Sequence, residues 1–355
     1  MKKTQLQFLS ELLDAPSPSG YEGPARRVWC AALEGVADEL TVDVHGNAIA
    51  TLNPKGAPHV MLAGHIDEIG FLVNHIEESG LIRFQPIGGH DMRGIAGRRV
   101  WVHAASGPIL GVVGKQPVHL MRNRDRSTSP PQASELWIDC GFQKKKEAAD
   151  VVAIGDPITY VDSFALMRND IAVARGFDNR VGAFVVAEVL RSLKRAKGLR
   201  ARVSAVATVQ EEIGLRGATT SAFGLAPDIG IAVDVTWATD NPGGNAREVG
   251  EVKLGAGPVL SRGANINPPL LALLEAAAKK ANISYQLRAS GRATGTDANA
   301  IQLTRGGVAT ALVSIPNRYM HSPVEICHLK DIVNSIKLIA DTLRTLTPKT
   351  RLIPD

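Results

Sequence analysis

Hydrophobic and polar positions along this chain follow the pattern of strands that alternate with helices. Short apolar runs that are typical of buried strands occur at 59–64, 203–210, 229–233 and 308–315. Apolar residues at helical spacing follow or separate them, most clearly over 180–195 and 329–346. This alternation indicates an α/β fold with a mostly parallel sheet that is covered by helices.

The pattern changes between about residue 74 and residue 161. Short strand-like pieces alternate there with glycine, proline and polar clusters, and long helical periodicity is nearly absent. We therefore predict a small β-rich insert at 73–165 within a discontinuous α/β domain made of 1–72 and 166–355. The arginine-, serine- and proline-rich segment 122–132 is predicted to be an exposed loop of the insert.

Composition narrows the class of protein. The 355 residues suffice for one large or two ordinary domains, and 45% hydrophobic with 21% charged residues is typical of a globular chain. A net charge of +5 suggests nucleic-acid binding, but the basic residues are mostly scattered and only 5% of the chain is aromatic. We therefore expect no nucleic-acid partner.

Three features indicate a cytoplasmic protein. Cys30, Cys140 and Cys327 are far apart and lack C-x-x-C spacing, which favours reduced thiols. Polar residues occupy much of the first 14 positions, so no apolar signal core follows the N-terminus. No run of 18 or more apolar residues occurs, and we expect no membrane partner.

Acidic residues and histidines follow the predicted strands where each strand ends. They are His65 and Asp67, Glu211 and Glu212, Asp234, and His321, while Asp178 lies between a glycine and the helix at 180–195. Ligands of open α/β sheets bind outside the carboxyl ends of the strands, so these five segments are expected to converge on one crevice. Two histidines and three carboxylates, one of them shared, suit two divalent ions.

The spacing of these residues suggests a division of roles. His65 and Asp67 share a strand face, so His65 can bind metal while Asp67 fixes the ring. Two adjacent carboxylates beyond a buried strand are costly without a positive partner, so one glutamate can ligate metal and the other can act as general base. For both pairs a solvated strand end is the alternative, and Asp234 alone could cap a turn.

Other titratable residues fit structural roles better. Asp297 precedes a short helix, and we favour a capping role for it over metal binding. The remaining histidines lie in turns, in the insert or at helix starts without acidic partners at a strand end: His45, His59, His75, His90, His103, His119 and His328. His90 and His119 could still face the crevice from the insert.

Together the motifs resemble those of the M42 metallo-aminopeptidases. In chain order they are Gly64-His-Ile-Asp-Glu-Ile-Gly70, Gly176-Phe-Asp-Asn-Arg-Val-Gly182, Gln210-Glu-Glu-Ile-Gly214, Asp234, Gly295-Thr-Asp-Ala298 and His321-Ser-Pro-Val-Glu325. The resemblance covers nearly the whole chain. The family includes the tetrahedral TET peptidases and proteins labelled glutamyl aminopeptidase or endoglucanase.

The resemblance implies a zinc-exopeptidase-like catalytic domain that is interrupted by a PDZ-like dimerisation insert. It also implies that dimers assemble into a hollow, tetrahedral dodecamer. Carried over by motif, Asp178 would bridge two ions, His65 and Asp234 would complete one metal site, and Glu212 and His321 would complete the other. Zinc, cobalt and manganese all suit such ligands.

By the same resemblance Glu211 is the expected catalytic base and Asp67 orients His65. We expect a dinuclear-metal aminopeptidase that removes N-terminal residues from peptides. Two ions would bind and acidify a bridging water, Glu211 would take its proton, and the hydroxide would attack the scissile carbonyl. A metal-dependent N-acyl amino acid deacylase and a noncatalytic peptide-binding scaffold stay open as alternatives. An endoglucanase fits less well, because a glycosidase requires no metal.

Overall fold

The computed structural model describes residues 1–120, 130–195 and 198–354. Residues 122–129 of the loop predicted at 122–132 therefore lie outside the described residues. The chain first forms α1 (Lys3–Asp14), α2 (Gly23–Leu33), β1 (Glu39–Val42), β2 (Ala48–Leu52), β3 (His59–His65), β4 (Gly70–Ile76), β5 (Ile82–Ile87), β6 (Arg99–Ala104), β7 (Gly107–Gly114), β8 (Trp137–Asp139), α3 (Lys145–Ala149) and β9 (Pro157–Tyr160). It continues with β10 (Ala165–Leu166), β11 (Ile171–Ala174), α4 (Phe177–Lys194), β12 (Arg202–Thr208), α5 (Arg216–Leu225), β13 (Ile229–Trp237), α6 (Ala246–Val249), β14 (Val259–Gly263), α7 (Pro268–Lys280), β15 (Gln286–Ser290), α8 (Asp297–Gln302), β16 (Ala309–Arg318), β17 (Glu325–His328) and α9 (Leu329–Leu343).

Two compact units divide the chain. The first contains Met1–Asp67, Ser163–Met320 and Val324–Asp355, and the second contains Glu68–Asp162 and His321–Pro323. The chain thus crosses between the units at 67/68 and 162/163, and again at 320/321 and 323/324. The sequence predicted domain boundaries at 72/73 and 165/166. Within the described ranges, no helix is both long enough and apolar enough to cross a bilayer.

The first unit is built on a mixed sheet of eleven strands among the residues described. Its order is β1-β2-β12-β3-β13-β16-β17-β11-β10, and β14 joins β16 and also pairs with β15. Strands β12, β3, β13 and β16 run parallel to one another, as do β14 and β15, whereas the strands towards both ends of this order pair antiparallel. The expected α/β architecture is present, but the sheet is mostly parallel only at its centre. Short outer strands can return through tight connections, which antiparallel pairing permits and parallel pairing does not.

Helix α4 packs tightly against the centre of this sheet. A Cβ atom on Gly64 of β3 would lie 2.3 Å from the carbonyl carbon of Gly182 in α4, so only glycine permits this approach. Phe177, Val181 and Phe184 of α4 are fully buried in the same core, and each such side chain contributes about 1.5–3 kcal/mol by leaving water. The contact brings the beginning of α4 close to the end of β3.

The second unit is a closed barrel of six strands in the order β4-β5-β8-β7-β6-β9. Its interior is filled by apolar side chains that include Phe71, Phe84, Val100 and Ile158. Closure pairs the strand edges of this small sheet. The predicted β-rich character of this segment is therefore present.

Candidate metal centre

Three side chains of the first unit meet at the carboxyl ends of its parallel strands. His65 is the last residue of β3, Asp234 lies near the end of the neighbouring strand β13, and Asp178 lies at the beginning of α4. Nε2 of His65 is 3.2 Å from Oδ1 of Asp178 and 3.9 Å from Oδ1 of Asp234. One ligand atom of each residue lies within 4.8 Å of the others, which is close enough for one ion to bind all three.

The backbone around Asp178 is held by two neighbouring side chains that the sequence did not single out. Glu325 accepts a hydrogen bond from the backbone N–H of Asp178 at 2.8 Å. Asn179 donates from Nδ2 to the carbonyl of Val233 at 2.8 Å and accepts from the N–H of Gly182 at 3.0 Å. Asn179 therefore links the start of α4 to the residue that precedes Asp234. The motif around Asp178 contains Asn179, but nothing in its sequence position indicates this role.

The Asp67 carboxylate contacts both His65 and the loop with the paired glutamates. Oδ1 of Asp67 is 3.4 Å from Nδ1 of His65, and the same nitrogen is 3.2 Å from the carbonyl oxygen of Asp67. Since both partners can only accept, Nδ1 carries a proton, and Nε2 is the ring nitrogen that faces the carboxylates of Asp178 and Asp234 and that an ion would bind in place of a proton. Asp67 also accepts from the backbone N–H groups of Glu211 and Glu212 at 3.0 and 3.2 Å.

Acidic side chains are concentrated at this site. Burial raises the pKa of Glu211 to about 9, and among the charged neighbours His65 lowers it while Asp234, Asp297 and Asp178 raise it further. Burial also raises the pKa values of Glu212 and Asp234 well above their usual range.

For His65, burial lowers the pKa, but the carboxylates of Glu211, Asp178 and Asp67 outweigh this and leave it well above the ordinary value. So many carboxyl groups in a desolvated site need positive charge, which divalent cations supply. The donor set, carboxylate and imidazole without thiolate, therefore fits zinc, cobalt or manganese.

Asp297 does not cap the helix that it begins, so the capping prediction is wrong. Thr296 occupies the N-cap position of α8 and makes no side-chain capping bond. The carboxylate of Asp297 instead accepts a hydrogen bond from Oγ1 of Thr208, at the end of β12, at 2.5 Å. Its Oδ1 is buried without a hydrogen-bond partner among the described residues, and burial raises its pKa to about 6. Asp297 thus adds charge to the acidic cluster.

His321 belongs to the second unit, in a segment of three residues between two stretches of the first. Its Nδ1 is 3.0 Å from the carbonyl oxygen of Gly89. Because a carbonyl can only accept, Nδ1 carries a proton, as it does in many histidines that bind metal through Nε2. The backbone of His321 has a φ of 60°, a value that non-glycine residues rarely adopt outside special sites.

The other histidines that bear on the prediction have ordinary partners. His90 stacks on Phe71 inside the barrel, and its Nε2 contacts the carbonyl oxygens of Gly70 and Ile87. His59 contacts the hydroxyl of Ser204, and burial lowers its pKa to about 4. These two residues have the structural environments expected for them. The three cysteines are free thiols.

The chain is similar in sequence to known aminopeptidases. The family model for M42 glutamyl aminopeptidases matches residues 46–338. A lysyl aminopeptidase of Pyrococcus furiosus is 38% identical over 344 residues, which cover 96% of this chain and 97% of that protein.

Two solved structures extend the comparison to the fold. A TET aminopeptidase from a marine-sediment Thaumarchaeota archaeon has a TM-score of 0.93 at 33% identity and covers 98% of both chains. The TET1 peptidase of Pyrococcus horikoshii, which can assemble into a tetrahedron or a large octahedral shell, has a TM-score of 0.85 at 32% identity, with 96% of this chain and 100% of that chain covered.

Proposed function

The chain belongs to the M42 glutamyl aminopeptidase family, and from that premise we propose that it is a dinuclear-metal aminopeptidase with Glu211 as its general base. Family membership makes it a peptidase, that is, a hydrolase of peptide bonds. The number of ions, their ligands and the role of Glu211 are the proposed part. The single observation that supports them most is the convergence of His65, Asp178 and Asp234 within 4.8 Å.

The proposed ligands divide between two ions that share Asp178. His65 and Asp234 complete the first set, in which Nε2 of His65 already faces the carboxylate of Asp178 at 3.2 Å. Glu212 and His321 complete the second set. In support of this set, Asp178 raises the pKa of Glu212 more than any other charged neighbour does, which indicates that the two carboxyl groups lie close together. His321 follows the last residue of β16 by only three positions, and its Nδ1 contacts the carbonyl oxygen of Gly89, so Nε2 is the nitrogen proposed to bind the ion.

Divalent ions at these ligands would polarise the scissile carbonyl and acidify a water molecule. Glu211 accepts the proton of that water and returns it to the leaving amine. Its Oε2 is 3.7 Å from Nε2 of His65, so the carboxylate lies beside the proposed ligands. Burial raises the pKa of Glu211 to about 9 in the protein alone, and nearby cations oppose this shift and favour the ionised form that a base needs.

The proposed metal centre favours substrates with a free N-terminus. Asp178, Asp234 and Asp297 are buried, and the adjacent Glu211 and Glu212 are largely buried, so bound ions would balance much of their charge. An ion held there would accept the lone pair of a free α-amine, whereas the amide nitrogen of an N-acylated residue is a poor ligand. This supports an aminopeptidase over an N-acyl amino acid deacylase.

Self-association belongs to the same proposal. The second unit is proposed as a PDZ-like dimerisation insert, with dimers that assemble into a tetrahedral dodecamer. The assemblies of Pyrococcus horikoshii TET1 support this, since that chain aligns with 96% of this one. The free thiols of Cys30, Cys140 and Cys327 fit a reducing compartment, and we propose that the protein acts in the cytoplasm.

A substrate panel tests the function. Leu, Lys, Glu and Phe anilides, each with a free and an N-acetylated amine, would be incubated with chelated protein before and after addition of Zn²⁺, Co²⁺ or Mn²⁺. We expect cleavage of the free-amine substrates only, and only with metal. Cleavage of the acetylated substrates would assign a deacylase, and cleavage of neither would leave a peptide-binding protein.

A further inference from the structure

Three consecutive backbone N–H groups in the loop after β12 each donate to a carboxylate. The N–H of Gln210 donates to Oε1 of Glu22 at 3.2 Å. Those of Glu211 and Glu212 donate to Oδ1 and Oδ2 of Asp67 at 3.0 and 3.2 Å. This loop contains the proposed general base and one proposed ligand, so its backbone conformation determines where both carboxylates lie.

The loop conformation is one that depends on such contacts. Gln210 has a φ of 55°, in the left-handed region that L-residues with a side chain rarely adopt. Such a conformation persists only where the surrounding structure holds it. The hydrogen bonds that the backbone N–H groups donate to two carboxylates supply that constraint, since bonds to an ionised acceptor are stronger than neutral ones.

The segment between α1 and α2 holds both of these carboxylates in place, because it contacts Asp67 and contains Glu22. Neither the family motifs nor the proposed mechanism uses this segment. Ser19 donates from its hydroxyl to Oδ2 of Asp67 at 2.7 Å, and both side chains are buried. Glu22, also buried, accepts from the N–H of Gly20 at 2.7 Å with the same Oε1 that binds Gln210. The segment Ser19–Glu22 therefore contacts the glutamate loop at one end directly and at the other through Asp67.

We propose that Ser19 and Glu22 are positioning residues for the metal centre. Ser19 fixes the rotation of the Asp67 carboxylate, which then orients His65 and holds the N–H groups of Glu211 and Glu212. Glu22 holds the start of the same loop. The inference rests on the proposed function, because it assigns its effect to the ligands and base named there.

The atoms in contact define what each substitution removes. A carboxylate has about four acceptor positions, and those of Asp67 face the hydroxyl of Ser19, two backbone N–H groups and Nδ1 of His65. Without the Ser19 hydroxyl, the carboxylate loses its shortest contact and can rotate away from His65. Groups that orient metal ligands in this way typically change metal affinity by about 10- to 100-fold when they are mutated.

The test compares Ser19→Ala, Ser19→Thr and Glu22→Gln with a matched control, Ser10→Ala. Ser10 lies on α1 and its hydroxyl contacts Asp14 of the same helix, at 3.3 Å. For each full-length variant, Co²⁺ affinity of the chelated protein, the visible spectrum of the Co²⁺ form, kcat, KM and the unfolding midpoint would be measured. The Co²⁺ spectrum reports ligand geometry independently of turnover.

We expect Ser19→Ala to weaken Co²⁺ binding about tenfold, to alter the Co²⁺ spectrum and to lower kcat more than it changes KM. Ser19→Thr retains the hydroxyl and is expected to recover most of the loss. Glu22→Gln keeps an acceptor without the charge and is expected to have a smaller effect of the same kind. Ser10→Ala is expected to match the unmodified protein throughout.

The inference would be overturned if Ser19→Ala and Glu22→Gln lowered only the unfolding midpoint and left Co²⁺ affinity, spectrum and kcat unchanged. Glu22→Gln keeps this outcome accessible even if Ser19→Ala does not fold. Failure of the proposed function looks different, since the unmodified protein would then bind Co²⁺ without cleaving free-amine substrates. In that case a spectral change in Ser19→Ala would still support the positioning role.

Discussion

The contact between Gly64 and Gly182 leads to a prediction about both stability and metal binding. In Gly64→Ala the new methyl carbon would lie 2.3 Å from the carbonyl carbon of Gly182 and 2.5 Å from the nitrogen of Ala183. Ordinary carbon contacts require about 3.5 Å or more, so α4 would have to move from β3 by about 1 Å. Overpacking of this kind typically costs about 1–3 kcal/mol, and backbone atoms on the opposing side favour the upper end.

The same displacement separates proposed ligands, because β3 ends at His65 and α4 begins next to Asp178. We therefore expect Gly64→Ala to lower the free energy of unfolding in urea by about 3 kcal/mol and to weaken Co²⁺ binding. Gly224→Ala is the matched control, since a methyl group on Gly224, in α5, would meet no neighbouring atom within 4 Å. Alanine there is expected to be neutral or to stabilise by up to about 1 kcal/mol. A Gly64→Ala protein with unchanged stability and unchanged Co²⁺ affinity would refute the reasoning.

Three further predictions concern protonation, metal and charge. Burial lowers the pKa of His59 from 6.5 to about 4, so the unfolded chain binds more protons than the folded chain between these pH values. Stability is therefore expected to fall as the pH decreases from about 6.5 towards 4. His59→Gln should flatten this part of a plot of urea midpoint against pH, and an unchanged slope would contradict the prediction. Chelation is expected to lower the thermal midpoint, since free metal at 100 times its Kd stabilises the folded state by about 2.7 kcal/mol per independent site; equal midpoints with and without EDTA would count against a bound metal. Asp297→Asn can keep the contact with Thr208 but removes one negative charge. Calorimetric titration should therefore show weaker Co²⁺ binding, and unchanged affinity would mean that Asp297 does not contribute to metal binding.

The sequence identified the strands of the sheet centre because their apolar runs are buried on both faces. The observed strands β3, β12, β13 and β16 fall within or close to those runs. The antiparallel strands at one margin were missed for a physical reason, since β10 has two residues and β11 has four, too few to produce a periodic pattern. Hydrophobic patterning therefore predicts long buried strands better than short ones at the margin of a sheet.

The candidate site was predictable where a side chain follows a strand, as for His65 and Asp234. Contacts between residues that lie far apart in the sequence were not predictable. Asp297 was assigned to its own helix because local sequence gives no sign of Thr208, which is 89 positions away. Likewise, Glu22 accepts from the backbone N–H of Gln210, 188 positions later in the chain, and Ser19 donates to the carboxylate of Asp67, 48 positions later. Neither contact leaves a mark on the local sequence.

The central claim is a metal site with Glu211 as its base, and Glu211→Gln tests it most directly. The substitution preserves the size of the side chain and removes its ability to accept a proton at neutral pH. Equilibrium dialysis with Co²⁺ or Zn²⁺ would count the ions bound per chain, and hydrolysis of free-amine anilides by the same samples would give kcat. The account predicts two ions per chain in both proteins and a loss of kcat of at least about 10²-fold in the variant. Near-normal kcat in Glu211→Gln, or fewer than two ions in the unmodified protein, would contradict it.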